Sequence, residues 1–211
     1  MKRALNSQYD QLYEKLKGYV AMMNFRFINL CVKADPASLI PVKVVVEGIG
    51  RNLEQVAMTA KKDDYRFWIV PKYDGDKEAV SLGVAKAHPE FRQKWGTLTI
   101  DGLAEDGAGR DVEYLELTMP EVDDKRHDFL TDAVDMCYQE CKALMEAAVN
   151  KAIAEIGILA AGEPKEDIDS IKKAIDKLNS DCKEHRDKLR DKKLKEIEEA
   201  YQNWLSKVDI K

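Results

Sequence analysis

Histidine is scarce in this chain, and nothing around the three that occur assembles a catalytic group. His88, His127 and His185 have no nucleophile or acid partner that the sequence places beside them. The aspartates and glutamates are dispersed as helix surface, not gathered in pairs, so no enzyme is expected. No run of eighteen apolar residues exists, which excludes a membrane-spanning helix. The first residues lack the apolar stretch of a secretory leader; a transit peptide already trimmed would leave no trace. Gly107-Ala108-Gly109 is too short for a phosphate loop and has no strand-to-helix context. Cysteine is sparse too: Cys31, Cys137, Cys141 and Cys182, all expected on helices and mostly in apolar stripes. Cys137 and Cys141 share a face at i, i+4, but a zinc site wants four ligands. The thiols therefore read as small buried groups in a reducing compartment, and neither metal nor other cofactor is expected.

What the chain has instead is apolar residues at helical spacing. Apolar residues are 45% of the total, enough for real cores, and charged residues are 35%, which suits long solvated helices better than a compact enzyme. From Pro120 to Lys207 the pattern predicts two long helices joined by Ala160-Ala161-Gly162-Glu163-Pro164. In the first arm Leu130, Val134, Cys137, Cys141, Leu144, Ala148, Ala152 and Ile156 recur every three or four residues. Asp123 and Asp124 fall in its first turn, where carboxylates favour the helix N-terminus. The second arm carries Ile168, Ile171, Ile175, Leu178, Cys182, Leu189, Leu194, Ile197, Tyr201 and Leu205, with a step of five after Leu189 that reads as a stutter. Gly162 suits the end of the first arm and Pro164 the start of the second.

Two such helices run antiparallel and leave half of each stripe wet, so a third is required. The N-terminus supplies it: Leu5, Tyr9, Leu12, Leu16, Tyr19, Met23, Phe27 and Leu30 keep the same spacing, and Asp35-Pro36 ends it. The fold class is therefore α+β. A three-helix bundle forms from residues 1–34 and 121–211, and an inserted β/α/β domain occupies residues 35–120.

Inside the insert the pattern turns to strands. Lys43 to Glu47 is short and β-branched, and Gly48 to Asn52 reads as a turn. Leu53 to Thr59 alternates loosely, Lys61 to Asp64 reads as a turn, and Tyr65 to Val70 is a strong strand before Pro71. A helix is expected over Asp76 to Ala87, then strands at Thr97 to Ile100 and Val112 to Leu117. The acidic, glycine-rich Gly102 to Arg110 between them reads as a hairpin tip.

The net charge of −5 is unevenly spread. Residues 1–34 carry six basic and two acidic side chains, whereas the first hairpin arm, 121–161, carries four against nine. The second arm is balanced, but within it residues 183–195 hold seven basic and three acidic groups. Arg186, Arg190 and Lys193 are spaced to share a face there. One reading is a solvated helix with pairs such as Glu184 with Lys188; the other is a phosphate-contacting stripe.

The order of these parts resembles the ribosome recycling factor family along nearly the whole chain. Three stretches carry the likeness. The first is Ala37-Ser38-Leu39-Ile40 followed by Val44-Val45-Val46-Glu47 and Gly50. The second is Leu53-Glu54-Gln55-Val56-Ala57, then Tyr65-Arg66-Phe67-Trp68-Ile69-Val70, with Glu78-Ala79-Val80 opening the small helix. The third is Leu117-Thr118-Met119-Pro120-Glu121-Val122-Asp123-Asp124-Lys125-Arg126. The resemblance implies an L-shaped, two-domain factor, a monomer when free, that performs no bond chemistry. It implies binding between the ribosomal subunits, on rRNA and proteins of the large subunit. It also implies subunit splitting after termination together with elongation factor G.

One departure from the family is specific. The family contacts ribosomal RNA through arginines, whose phosphate contacts set affinity. The matching turns here read Leu30-Cys31-Val32-Lys33-Ala34-Asp35 and Glu146-Ala147-Ala148-Val149-Asn150-Lys151, with no arginine in either. Lys33, Lys125, Arg126, Lys142, Lys151, Arg186, Arg190 and Lys193 are the cations left to serve as RNA contacts. Two readings follow. One is a divergent recycling factor of an organellar ribosome, the mitochondrial matrix first, with a bacterial cytoplasm as the alternative. The other is a ribosome-associated structural component or large-subunit assembly factor that kept the fold and lost recycling. For the second, Phe91, Trp95, Tyr201 and Trp204 are candidate partner contacts, although Trp204 also suits packing at the open end of the bundle.

Overall fold

Helical periodicity at the two ends of the chain and alternation in its middle give two compact units. A computed structural model describes residues 2–100, 109–162 and 164–208, leaving aside the side chains of Lys2 and Ile100; residues 102–108, most of the expected hairpin tip, fall outside it. In chain order the elements are α1 (Lys2–Asn29), β1 (Lys43–Val46), β2 (Ile49–Asn52), α2 (Leu53–Val56), β3 (Ala57–Asp63), β4 (Arg66–Pro71), α3 (Lys77–Ala87), β5 (Arg92–Ile100), β6 (Arg110–Thr118), α4 (Asp124–Leu159) and α5 (Lys165–Val208). Packing assigns Met1–Phe27 and Asp123–Lys211 to one unit and Ile28–Val122 to the other.

The first unit is a bundle of three long helices. Asp123 caps α4, its carboxylate accepting from the backbone N–H of Arg126 at 2.8 Å, which satisfies one of the orphan donors of the first turn. Gly162 takes a left-handed backbone (φ 91°) where the first arm stops. The α4–α5 pairing is antiparallel: Asp124 meets Tyr201, His127 meets Glu198, Asp135 meets Arg190 and Tyr138 meets Asp187, one number falling as the other rises. α1 lies along this pair, burying Leu5, Leu12, Leu16, Val20, Met23 and Phe27. An ion pair between Arg26 and Glu140 ties α1 to α4 at the surface.

Two stripes run differently from the expected ones. In α4 the buried row passes through Cys141, Met145, Val149, Ala152 and Ile156, whereas Leu144 is 37% exposed and Ala148 lies at the edge. Two apolar rows lie side by side on this helix, and periodicity alone does not choose between them. In α5 no stutter is present. The buried row goes from Cys182 through Arg186, Lys193 and Ile197 to Ala200, so two cations occupy positions that the apolar spacing skipped.

The second unit begins before Asp35. α1 stops at Asn29, and Cys31, Val32 and Ala34 are buried, Cys31 and Ala34 within the core of the insert. Cys31 is therefore not on a helix as expected; its φ is 52°. Four antiparallel strands form a sheet in the order β3-β4-β6-β5, and β1 pairs with β2 in a separate hairpin. The five residues Ile49 to Leu53, expected as turn and strand start, instead hold β2 and the start of α2. The turn itself is Glu47-Gly48, both with positive φ, as a two-residue hairpin loop requires. α2 is one helical turn whose Leu53 and Val56 face inward. β3 runs on through Lys61 to Asp63, and β5 starts at Arg92, five residues ahead of Thr97.

Phe67, Ile69, Leu115 and Leu117 on β4 and β6 are fully buried, together with Val80 and Val84 of α3 and Val44 of β1. α3 comes so close to β1 that a Cβ on Gly83 would stand 2.7 Å from the Lys43 carbonyl oxygen. Only glycine permits that approach.

Candidate functional site

Among the eight cations singled out in the sequence, the structure separates two groups. Lys125, Lys142 and Lys151 are exposed on α4, and Lys33 and Arg126 are half-buried. Lys151 lies 3.7 Å from Glu155, a surface pair. Arg186, Arg190 and Lys193 behave otherwise. They do not form an exposed row: Arg186 and Lys193 are buried, with side chains 5% and 8% exposed, and Arg190 reaches back to α4.

The cause is a polar knot between α4 and α5. The Arg186 guanidinium stacks on the Tyr138 ring with its carbon 4.6 Å from the centroid. It donates to the Tyr138 hydroxyl at 3.0 Å and to Asp187 Oδ1 at 2.9 and 2.8 Å. Tyr138 in turn donates to the same carboxylate oxygen at 2.9 Å. Arg190 stands against the same ring at 4.9 Å and donates to Asp135 at 3.1 and 2.7 Å. Burial pulls the Asp187 carboxyl upward, but the hydrogen bonds from Arg186 and Tyr138 prevail and hold it below the usual range. Burial, then the bond to Asp187, pushes the Tyr138 hydroxyl up. Arg186 and Arg190 hold the two helices in register, whereas the buried Lys193 bonds Glu196 within α5 at 3.1 Å. The Glu184–Lys188 pair is present at 2.6 Å on the outer surface.

The aromatic candidates also sort by burial. Phe91 belongs to the core of the insert, and Trp95 stays 38% exposed on β5. Tyr201 stacks between His127 and Trp204, with centroids 4.5 and 6.0 Å away, and donates to Asp124 at 2.6 Å. Trp204 is half-buried beside it. A different apolar surface emerges on α4. Phe129, Met136, Ala143, Ala147, Ala154 and Ile158 are all exposed and, at 3.6 residues per turn, share one face. Met136 is 73% exposed and Ile158 76%. The face includes Ala147, in the turns Glu146 to Lys151 that hold no arginine.

One cluster was not legible in the sequence at all. Cys31 Sγ, His88 Nδ1 and a Glu90 carboxylate oxygen lie within 4.8 Å of one another inside the insert. Fifty-seven residues separate Cys31 from His88, and no spacing rule connects them.

The architecture defines a class: a bundle of three long helices, discontinuous in sequence, carrying an inserted module built on an antiparallel sheet. No family model and no curated protein matches the sequence. Solved structures do match the fold. One, titled as the solution structure of the ribosome recycling factor, has a TM-score of 0.69 at 14% identity and covers 92% of this chain and 97% of its own. Another comes from models of the T. thermophilus ribosome recycling factor and the E. coli elongation factor G bound to the E. coli post-termination complex. It has a TM-score of 0.59 at 17% identity and covers 92% of this chain and 98% of its own. The chain has the ribosome recycling factor fold.

Proposed function

We propose that this chain is a ribosome-binding translation factor of the recycling type. It acts as a non-catalytic lever that splits post-termination subunits together with a GTPase of the elongation factor G kind. The observation that carries this reading is the extent of the likeness: both the bundle and the insert are matched, over 92% of this chain and nearly all of the neighbour. A lever needs that whole body, whereas a borrowed helical hairpin would match only in part. The exposed lysines Lys125, Lys142 and Lys151, with Lys33 and Arg126, supply the phosphate contacts in this reading. Arg186, Arg190 and Lys193 serve the bundle instead. An organellar ribosome, with a phosphate surface rearranged to match, fits the loss of arginines best.

The apolar face of α4 favours a second reading. Where an RNA-reading surface is expected, Ala147, Ala154 and Ile158 stand exposed on an arm with nine acidic and four basic side chains. Such a surface suits a protein partner better than phosphate. It supports a ribosome-associated component or large-subunit assembly factor.

Gradient sedimentation with bacterial ribosomes at rising salt tests both. The recycling reading expects co-migration at low salt, lost steeply as salt rises, and weak subunit splitting with elongation factor G and GTP. Salt-resistant co-migration without splitting supports the second reading. No co-migration at any salt, on bacterial or organellar particles, overturns both.

A further inference from the structure

We propose that Cys31, His88 and Glu90 form a binding site for a single zinc-type divalent cation inside the inserted module. The ligand set suits that chemistry. A thiolate, an imidazole nitrogen and a carboxylate are the three donor types that zinc takes, and together they balance its two positive charges. Two of the three spacings suit it too, and the third, Cys31 to Glu90, lies within 4.8 Å. Bond lengths of about 2.0–2.3 Å in a tetrahedron place neighbouring donor atoms about 3.3–3.6 Å apart. Cys31 Sγ lies 3.7 Å from His88 Nδ1, and Nδ1 lies 3.2 Å from Glu90 Oε1.

The histidine is held as a metal ligand is held. Its Nε2 is 2.8 Å from the Ser38 carbonyl oxygen. A carbonyl only accepts, so Nε2 carries a proton, and Nδ1 is the nitrogen left to face Cys31 and Glu90, where its lone pair would meet a cation. A histidine whose second nitrogen donates to a backbone carbonyl is the usual support of a metal-bound imidazole. That carbonyl is fixed in turn. Asp35 Oδ1 accepts from the Ala37 N–H at 2.9 Å and caps the short turn Pro36–Leu39 that contains Ser38. Phe91 stacks on the imidazole at 4.5 Å and 5°, which sets the ring plane.

The third support is the backbone of Cys31. Its φ of 52° is a left-handed conformation that a residue with a side chain adopts at a cost. That conformation delivers Sγ to Nδ1. Cys31 and His88 are buried, and the Glu90 side chain is 31% exposed, so the cation would enter from the glutamate side and keep a position open to water there. On binding, the Cys31 thiol gives up its proton to solvent and its hydrogen bond to the Asn29 carbonyl, now 3.2 Å. The competing arrangement is a plain hydrogen-bonded trio in which His88 carries both protons and pairs with Glu90.

Cobalt(II), a spectroscopic stand-in for zinc, separates the two. The full chain, reduced and freed of metal, is titrated with Co²⁺ alone and then with Zn²⁺. The site predicts a thiolate-to-cobalt charge-transfer band that saturates at one equivalent and disappears on adding zinc. Cys31→Ser abolishes the band, Glu90→Gln weakens cobalt affinity at least tenfold, and Cys137→Ser changes neither. Glu90 is partly exposed, so the Gln variant folds and keeps the test open if Cys31→Ser does not. A folded wild-type chain with no band, a band lost in Cys137→Ser, or unchanged affinity in Glu90→Gln each overturns the proposal.

Discussion

The insert and the bundle bury their interiors with different materials. Around Phe67, Ile69, Leu115 and Leu117 the insert packs aliphatic and aromatic groups from strands and helix, and among the described residues its buried polar side chains are Ser38 and His88. In the bundle the matching central positions of α5 hold Arg186 and Lys193. The reason lies in what fixes register. A sheet's register is set by which side chains must face the core and by its turns, here Phe67 opposite Leu117 and Ile69 opposite Leu115, because a one-residue slip turns every apolar side chain outward; its core is free to be apolar. Two long helices with repeating apolar stripes can slide by a turn and still bury them. The Tyr138–Arg186–Asp187 and Asp135–Arg190 contacts match only one alignment of α4 with α5. Buried polar groups have this registry role in helical assemblies more reliably than a stabilising one.

Truncation in the apolar core tests one side of that contrast and has the largest expected effect. Phe67→Ala should cost the insert about 3–5 kcal/mol, since a fully buried ring leaves a cavity that strands close poorly. Urea unfolding of the full chain reads it, with Trp68 and Trp95 reporting on the insert and Trp204 on the bundle. A loss confined to the Trp204 signal would break the comparison. On the other side, Arg186→Ala should cost about 2–3 kcal/mol, and Arg186→Met, which keeps the stem, should come within about 1 kcal/mol of wild type. If Met costs as much as Ala, the guanidinium stabilises the fold outright and the registry argument fails. Gly83→Ala comes next. Its Cβ would meet the Lys43 carbonyl oxygen at 2.7 Å, so α3 must lift from β1, at a cost of about 1–2 kcal/mol visible in the same urea curves.

The sequence makes the helices legible because three stripes repeat over many turns and leave few alternatives. It makes the strands legible where side chains are β-branched, as at Val44 to Val46 and Phe67 to Val70. It misleads where two cues compete. Gly48 and Gly50 both suggest a turn, but only Glu47-Gly48 has the positive φ, and Gly50 pairs with Val45 in the β1–β2 ladder. Arg186 and Lys193 read as surface because their charge outweighs the long apolar stems that the bundle buries. The sites are less legible than the fold. The Cys31–His88–Glu90 cluster depends on the end of α1 at Asn29 and the positive φ of Cys31, and no local pattern announces either. The apolar face of α4 is visible at the right period, but the α4 stripe must first be assigned to the core before what remains can be recognised as exposed.

Acid gives the smallest and most discriminating comparison, because each unit has carboxylates held down by their partners, among them Glu116 in the insert and Asp187 in the bundle. Glu116, with a side chain 17% exposed, accepts from Lys62 at 2.8 Å and from the Trp68 indole N–H at 3.0 Å, and these bonds hold its carboxyl below the usual range. Asp187, 50% exposed, is held down by Arg186 and Tyr138 against the upward pull of burial. A carboxyl whose folded value is depressed binds its proton more readily in the unfolded chain. Its stabilising effect is therefore complete above the unfolded value, about 4, and is lost as pH falls through the lower folded one. Glu116→Gln should remove about 0.5–1 kcal/mol at neutral pH and flatten the acid limb of the Trp68 signal. Asp187→Asn should do the same, by less, to the Trp204 signal, because water screens a half-exposed group. Equal flattening of both limbs by either variant would mean that the two units unfold together, and the contrast between their cores could then no longer be read from stability.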